Sequence, residues 1–247
     1  MSKIKTFKKA IPSISTEQMI EVDRLMIEDY HIELIQMMEN AGRCLAILAV
    51  QRFLKKKLKK KQVVVLAGTG GNGGGALVCA RRLHNWGANV KVFLTAKDEK
   101  MTPIPAHQLK ILSRMGLEIQ SGEQMNDLTE TDLVIDGIIG YSVKGDPYGI
   151  PKQMIDWANK QAAPVLSLDT PSGLDLTSGV AHNPSITAAA TLTLALPKHG
   201  LFKEAAKPFV GELYLGDISV PAGLYMEPSL NIEVNKSLFA KSDVIKL

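Results

Sequence analysis

Cysteine is scarce in this sequence. Only Cys44 and Cys79 occur among the 247 residues, too few for a disulfide framework or a zinc site built on cysteine. This usage is typical of a reducing compartment, and we expect a cytoplasmic protein. The histidines share no spacing typical of metal ligands, and a lone histidine is more often structural or exposed than ligating. They are His31, His84, His107, His182 and His199.

Long apolar runs are also missing. The most apolar segment, residues 186–197, contains three threonines and is too short to cross a bilayer. The first ten residues are charged, but no apolar segment follows them, which disfavours a secretory signal. Neither sign of charge dominates, since 29 Lys and Arg oppose 25 Asp and Glu for a formal net charge of +4. We therefore expect neither a membrane nor a nucleic acid as partner.

The basic residues are concentrated in one place. Residues 55–61 hold six lysines in seven positions. They could form a contact surface for an anionic partner, or they could be a solvated helix end where cations suit the negative end of the helix dipole. We favour the second interpretation, because exposed charges at a helix end are common and contribute little.

The hydrophobic pattern predicts the fold class. Hydrophobic residues make up 45% and charged residues 22% of the chain, as in globular proteins. Residues 15–18 form a capping-box pattern, and two helices are expected over residues 16–54. Strands are then expected at 63–66, 90–94, 133–135, 165–168, 191–196 and 212–215, with helices between them. Because the sequence has no internal repeat and no long linker, we predict one domain over residues 1–247. Its expected fold is a Rossmann-like three-layer α/β/α sandwich, with a mostly parallel, doubly wound sheet and an N-terminal helical extension.

A glycine-rich turn follows the first expected strand. Gly68, Gly70 and Gly73 satisfy G-x-G-x-x-G between a strand and a helix, where bare backbone amides can approach an anion. No Lys-Ser/Thr pair follows, so this is not a Walker A loop. No acidic residue ends the second strand, where a dehydrogenase would hold the ribose hydroxyls. The pattern therefore disfavours an ordinary NAD-dependent dehydrogenase.

Two further strands each end in an aspartate. Asp136 and Asp169 follow apolar runs, where an uncompensated carboxylate is costly and must be paired, protonated or bound to a cation. Alternatively, such a carboxylate has a purely structural role, in which it caps a helix or accepts hydrogen bonds from backbone amides. Lys144 in the same loop as Asp136, and Ser172 close after Asp169, favour a functional role. Because parallel strands end at one rim, the oxygens of Asn72, Asp136, Asp169 and Ser172 predict a site that suits a hard cation.

Five segments occur in the order found in the YjeF N-terminal domain family. They are residues 38–42 (MENAG), 68–76 (GTGGNGGGA), 136–146 (DGIIGYSVKGD), 169–175 (DTPSGLD) and 196–201 (LPKHGL). From Ile14 to Pro221 the chain resembles these NAD(P)H-hydrate epimerases of nicotinamide-nucleotide repair. The resemblance implies a dimeric Rossmann-like isomerase that interconverts the R and S forms of hydrated NADH or NADPH, with potassium at the site. Because no dehydratase-like segment follows, we expect a stand-alone epimerase.

The resemblance also implies site residues. The potassium ligands would be Asn72, Asp136 and Ser172. The residues expected to contact the substrate are Gly71, Asn72, Gly73, Gly74 and Gly75, then Gly140, Tyr141, Ser142, Val143, Lys144, Gly145 and Asp146, and finally Asp169. One departure stands out: the family loop usually reads Asn-Asn-Gly-Gly-Asp-Gly, whereas this chain has glycine for the first Asn and for the Asp, which is Gly75.

The mechanism expected from these residues is proton transfer at C6 of the hydrated ring. Our hypothesis is that Asp169 and Asp136 transfer the protons, with Lys144 holding one carboxylate ionised. Potassium would fix the geometry of the loops. The altered glycine loop motivates an alternative: a nucleotide- or partner-binding protein that has kept the fold without turnover.

Overall fold

The computed structural model describes residues 4–7, 9–55, 57–127 and 130–247. Its N-terminal part is helical. Helix α1 (Thr16–Arg24) begins with the expected capping box, in which Gln18 N donates to Ser15 Oγ at 3.1 Å and Ser15 N donates to the Gln18 side chain at 2.9 Å. A π-helical turn extends α1 over Leu25–Asp29, and another extends α2 (Leu34–Leu48) over Ala49–Phe53.

The rest of the chain builds one eight-stranded sheet. The strands are β1 (Gln62–Ala67), β2 (Asn89–Leu94), β3 (Glu118–Ser121), β4 (Leu133–Gly137), β5 (Val165–Leu168), β6 (Ala190–Leu194), β7 (Glu212–Gly216) and β8 (Val244–Lys246). Their order in the sheet is β3-β2-β1-β4-β5-β6-β7-β8; all neighbouring pairs up to β7 are parallel, and β8 is antiparallel to β7. The order reverses between β1 and β4, so the ends of these strands flank the crevice where ligands bind in such sheets.

Helices cover both faces of the sheet. Besides α1 and α2, the helices are α3 (Gly71–Asn85), α4 (Pro103–Arg114), α5 (Gly149–Lys160) and the short α6 (Lys207–Val210). Alternate residues of β1 point to opposite sides: Val63 and Val65 belong to the core formed with α2, α3 and α4, whereas Val64 and Leu66 pack with α5. This explains why β1 is a continuous apolar run in the sequence. The predicted Rossmann-like α/β sandwich is confirmed.

Several details differ from the sequence-based expectations. Strands β3 and β8 were not expected; both lie at the edges of the sheet, and β3 lacks a buried apolar run. In the lysine-rich segment 55–61, Lys61 lies at the entry of β1 and pairs with Asp132 at 2.5 Å, while Lys56 lies outside the described residues. Within the described ranges, every helix is too short or too polar to traverse a lipid bilayer.

Candidate active site

A cavity of about 710 Å³ lies at the point where the strand order reverses. One wall consists of the N-terminal helices and is largely apolar, with Met19, Ile27, Leu34, Met37 and Met38. The other wall consists of the strand ends and their loops. Its polar members include Thr69, Asn72, Thr95, Tyr141, Ser142, Asp169 and Lys198. A cavity of this size accommodates a small-molecule ligand.

The glycine-rich segment brings two loops and a helix end together. Gly68 N donates to the carbonyl oxygen of Gly137 at 2.9 Å. A Cβ at Gly68 would overlap the carbonyl oxygen of Ile138, and one at Gly73 would overlap that of Gly68. Only glycine fits such close backbone approaches. Helix α3 begins at Gly71, earlier than expected, so the later glycines lie inside the helix.

Not every glycine of this segment lines the cavity. Gly71, Asn72 and Gly73 do, at the first turn of α3. Gly74 and Gly75 are buried behind them: a Cβ at Gly74 would meet the side chain of Met38, and one at Gly75 would meet Leu168 at 2.6 Å. These two glycines let α3 pack closely, and they are not part of the cavity wall. A direct substrate contact by Gly74 or Gly75 stays a prediction.

Asp136 lies at the end of β4 and is completely buried. Its Oδ1 accepts from Ser172 Oγ at 2.5 Å and from Ile138 N at 3.2 Å; its Oδ2 accepts from Ser167 Oγ at 2.7 Å and from Ser172 N at 2.9 Å. Burial raises the pKa of this carboxyl, and the four hydrogen bonds oppose that rise. Asp136 is not part of the cavity wall, which argues against the hypothesis that it exchanges protons with substrate.

The surroundings of Asp136 offer oxygens to a cation. Among the described residues, no Lys or Arg forms an ion pair with Asp136. Ser172 Oγ also lies 2.8 Å from Ile139 N and 3.2 Å from the Ile139 carbonyl oxygen. Asn72 donates to the carbonyl of Leu168 at 2.7 Å and approaches Gly140 with its amide oxygen. The three predicted ligands thus surround residues 137–140, and their oxygens suit a hard monovalent cation.

Asp169 lies at the end of β5, with a left-handed backbone (φ 62°) and 3% exposure. Lys198, which is fully buried, donates to Asp169 Oδ1 at 2.5 Å. The same oxygen accepts from Thr193 Oγ1 and from Leu194 N, both at 3.2 Å. Within the described part of the chain, no hydrogen bond reaches Oδ2. Because Asp169 lines the cavity, this oxygen is available to a ligand.

The loop after β4 divides into two parts. Gly140, Tyr141 and Ser142 line the cavity. The following residues turn away from it; Asp146 accepts from Asn183 N at 3.0 Å, on the neighbouring 182–183 turn. Lys144 is exposed. Of the predicted substrate residues, Val143, Lys144, Gly145 and Asp146 are therefore absent from the cavity wall.

The expected pairing of Lys144 with a catalytic carboxylate is wrong. Lys144 lies within ion-pair distance of neither Asp136 nor Asp169 in the described structure, and Lys198 occupies that place. Lys198 was not expected in the site, because it follows β6 by four positions and has no local sign of burial in the sequence. The segment Leu196–Leu201, which carried part of the family resemblance, was the available signal.

Asp23 was also missed. It lies on α1, lines the cavity and accepts a hydrogen bond from the Tyr141 hydroxyl at 3.0 Å. Burial raises the pKa of Asp23 to about 6. Since it follows Val22 on an ordinary amphipathic helix, the pattern gave no reason to separate it from solvent-facing acids. Among the described residues, no cluster of His, Cys, Asp and Glu has the size needed for a transition metal.

A family model and two similar proteins agree on the family to which this chain is related. The family model described as "YjeF-related protein N-terminus" matches residues 34–200. A protein of Dehalogenimonas lykanthroporepellens named NAD(P)H-hydrate epimerase is 38% identical over 90% of this chain and 88% of its own length. A protein of Moorella thermoacetica named bifunctional NAD(P)H-hydrate repair enzyme Nnr is 34% identical over 94% of this chain, which spans 45% of that longer protein.

A solved structure supports the same grouping. The crystal structure of yeast YNL200c superposes with a TM-score of 0.80, at 27% sequence identity, over 96% of this chain and 100% of the yeast chain. The likeness in fold therefore extends over nearly the whole chain.

Proposed function

The chain belongs to the family of YjeF-related protein N-termini, and on that premise we propose that it is an NAD(P)H-hydrate epimerase. It is then an isomerase that interconverts the R and S forms of hydrated NADH or NADPH, so that a damaged nicotinamide nucleotide can be repaired. The homologues that carry this name align over 90% and 94% of the chain.

One observation carries the proposal. Asp169 faces a cavity of about 710 Å³ with one carboxylate oxygen held by Lys198 and the other without a donor from the described residues. The first turn of α3, with Gly71 and Gly73, lines the same cavity and presents backbone amides suited to phosphate. A carboxylate oxygen without a donor, beside a helix end suited to phosphate, fits the binding and the proton transfer that a hydrated dinucleotide needs.

The proposed chemistry is the loss and return of water at C6. The C6 hydroxyl accepts a proton and leaves as water, and the adjacent ring nitrogen stabilises the resulting cation. Water then adds to the other face of the ring and gives up a proton. Asp169 Oδ2 is placed to accept this proton, because Asp169 lines the cavity and its hydrogen bonds from the described residues all go to Oδ1. The apolar helical wall excludes bulk water from the ring.

We also propose a potassium ion at the site, held by Asn72, Asp136 and Ser172. The support is a buried carboxylate without a cationic partner in the described structure, together with hydroxyl, amide and carbonyl oxygens around residues 137–140. Bound there, potassium would neutralise Asp136 and order these residues beneath the cavity. Asp136 and Ser172 then support the substrate-binding loop, and the protons are moved by other groups.

The alternative, a binding protein without turnover, rested on the loss of the loop Asp at Gly75. Position 75 is buried against Leu168 and is not part of the cavity wall. A side chain at this position would therefore reach substrate only if Leu168 moved. This placement favours the epimerase.

A coupled assay tests the proposal. A mixture of R and S hydrated NADH is given to an S-specific dehydratase in potassium buffer, with and without this protein. We expect complete conversion of both forms at a rate proportional to the concentration of this chain. If conversion stops once the S form is consumed, apart from slow spontaneous exchange, the protein is not an epimerase and the binding interpretation replaces it.

We further propose a cytoplasmic homodimer. Ile20 on α1 is 52% exposed and is not part of the cavity wall, and a large apolar side chain exposed in this way suits the association of two copies. Sedimentation of the purified chain should give twice the monomer mass, and Ile20→Asp should return it to the monomer. Fractionation of cells that express the chain tests the compartment.

A further inference from the structure

Asp23 connects the two walls of the cavity. It lies on α1, which is anchored by the buried Met19 and Val22, and it reaches across to Tyr141 in the loop after β4. The Tyr141 hydroxyl donates to Asp23 Oδ2 at 3.0 Å. Both residues line the cavity. The pair is therefore in reach of a bound ligand and has a defined geometry.

The charges around Asp23 come mostly from the active site itself. Lys198 lowers and Asp169 raises its pKa, and the Tyr141 hydrogen bond lowers it, but burial dominates. Tyr225 is the further titratable group that interacts with Asp23. The outcome is a pKa of about 6, against 3.8 for an ordinary aspartate. A carboxyl in this range can carry a proton near neutral pH and release it.

Epimerisation needs two proton-transfer groups, because the hydroxyl leaves one face of the ring and water returns to the other. Asp169 supplies one, and its Oδ1 accepts a hydrogen bond from the Lys198 ammonium. Asp136, the second carboxylate expected from the sequence, is buried beneath the cavity wall. Asp23 approaches the cavity from the helical wall, whereas Asp169 approaches it from the sheet.

We propose that Asp23, positioned by Tyr141, is the second proton-transfer group of the epimerase. In one direction protonated Asp23 gives its proton to the C6 hydroxyl, the C–O bond breaks and water leaves, with the ring cation as product. Water then attacks the opposite face, a new C–O bond forms, and Asp169 takes the excess proton. Protons exchange with solvent to restore the starting state, and the reverse direction exchanges the two roles. This assignment rests on the proposed epimerase function.

The test compares Asp23→Asn with the matched control Asp29→Asn, an exposed carboxylate in the π-helical turn after α1 that lies 3.6 Å from Arg24. We expect kcat to fall by roughly 10²-fold or more in Asp23→Asn and to stay within about twofold in the control, since exposed substitutions have small effects. The wild-type pH profile should show a group titrating near pH 6, and that group should be missing from the residual activity of Asp23→Asn.

Tyr141→Phe tests whether the Tyr141 hydroxyl positions Asp23 or whether the ring of Tyr141 only packs in the cavity wall. The hydroxyl favours ionised Asp23, so its removal should shift the inflection of the pH profile to higher pH. Carbon NMR of labelled aspartate follows the same titration in the unmodified protein and does not depend on the folding of a variant. An Asp23 pKa near the ordinary value, or an active wild type whose kcat is unchanged in Asp23→Asn, overturns this assignment alone. An inactive wild type overturns the epimerase proposal as well.

Discussion

The ends of β4 and β5 look alike in sequence but differ in structure. Each strand is apolar, ends in an aspartate and continues into a glycine-containing turn. Asp136 receives four hydrogen bonds from hydroxyls and amides, two on each oxygen, and is sealed from the cavity. Among the described residues, the donors to Asp169, including the Lys198 ammonium, all lie on one oxygen, and Asp169 lines the cavity.

The difference shows that the partners of a carboxylate, more than its position, decide what it can do. Each oxygen of Asp136 accepts two hydrogen bonds, and the described residues give this carboxylate no cationic partner, which suits a buried position that supports a loop around an ion. Asp169 combines a neutralised charge with a free oxygen, which suits proton transfer. Substitutions at Asp169, at the serines that bind Asp136, at Asp23 and at Lys144 test this division.

Asp169→Asn should cause the largest loss of activity. The amide keeps the shape, and asparagine tolerates the left-handed backbone at this position, but it cannot accept a proton. We expect kcat to fall by roughly 10²–10⁴-fold in the coupled assay, with little change in KM. A loss of less than about tenfold would contradict a role of Asp169 in proton transfer.

Removal of Asp169 should also reduce stability, because Lys198 would remain buried without its counter-charge. Breaking a buried pair on one side costs about 3–5 kcal/mol. The double variant Asp169→Asn with Lys198→Met removes both charges and should recover most of the free energy of unfolding in urea. It should not recover activity. A double variant as unstable as Asp169→Asn would show that the ion pair is not the source of the loss.

Substitutions of two serines that donate to the same carboxylate should distinguish loss of the cation site from loss of a buried hydrogen bond. Ser167 and Ser172 both donate to Asp136, and each change to Ala should lower stability by about 1–3 kcal/mol because a donor to a buried charge is lost. Only Ser172 is a proposed potassium ligand. Wild type and Ser167→Ala should therefore melt at higher temperature in KCl than in tetramethylammonium chloride of equal ionic strength. Ser172→Ala should show no such difference, and an unchanged response would remove Ser172 from the cation site.

A third carboxylate, Asp23, extends the comparison to pH. Its pKa is raised from 3.8 to about 6 on folding, so between these values the folded state holds more protons than the unfolded state. The contribution of Asp23 to the free energy of unfolding is fully present below about pH 4 and is lost as the pH rises through about 6. Asp23→Asn should therefore stabilise the protein at pH 8 by about 1–3 kcal/mol but not at pH 4, as measured by urea unfolding. Equal effects at both pH values would refute the raised pKa.

Lys144→Ala should have the smallest effect. Lys144 is exposed and pairs with neither active-site aspartate, so the free energy of unfolding should change by less than about 0.5 kcal/mol. Its predicted contact with substrate would appear as a higher KM at unchanged kcat. A large decrease in kcat would show that Lys144, and not Lys198, is the lysine on which the catalytic carboxylate depends.

The sequence predicted the sheet and the rim of the site because these depend on local patterns. Continuous apolar strands, the capping box at Ser15 and the glycines at 68 and 73 each have a local physical cause. Lys198 and Asp23 could not be found in this way, because their role depends on contacts with residues 29 and 118 positions away along the chain. The exchange of Lys144 for Lys198 shows the same limit: proximity in sequence was taken for proximity in space.

The most direct test of the account is to follow the C6 oxygen. Hydrated NADH is incubated with the wild-type chain in ¹⁸O-labelled water, and mass spectrometry follows the label while chromatography follows the two epimers. If the hydroxyl leaves and water returns, label must enter at the rate of epimerisation, and both rates must fall together in Asp169→Asn. Epimerisation that proceeds with retention of the original oxygen would contradict the account, because no C–O bond would then have broken.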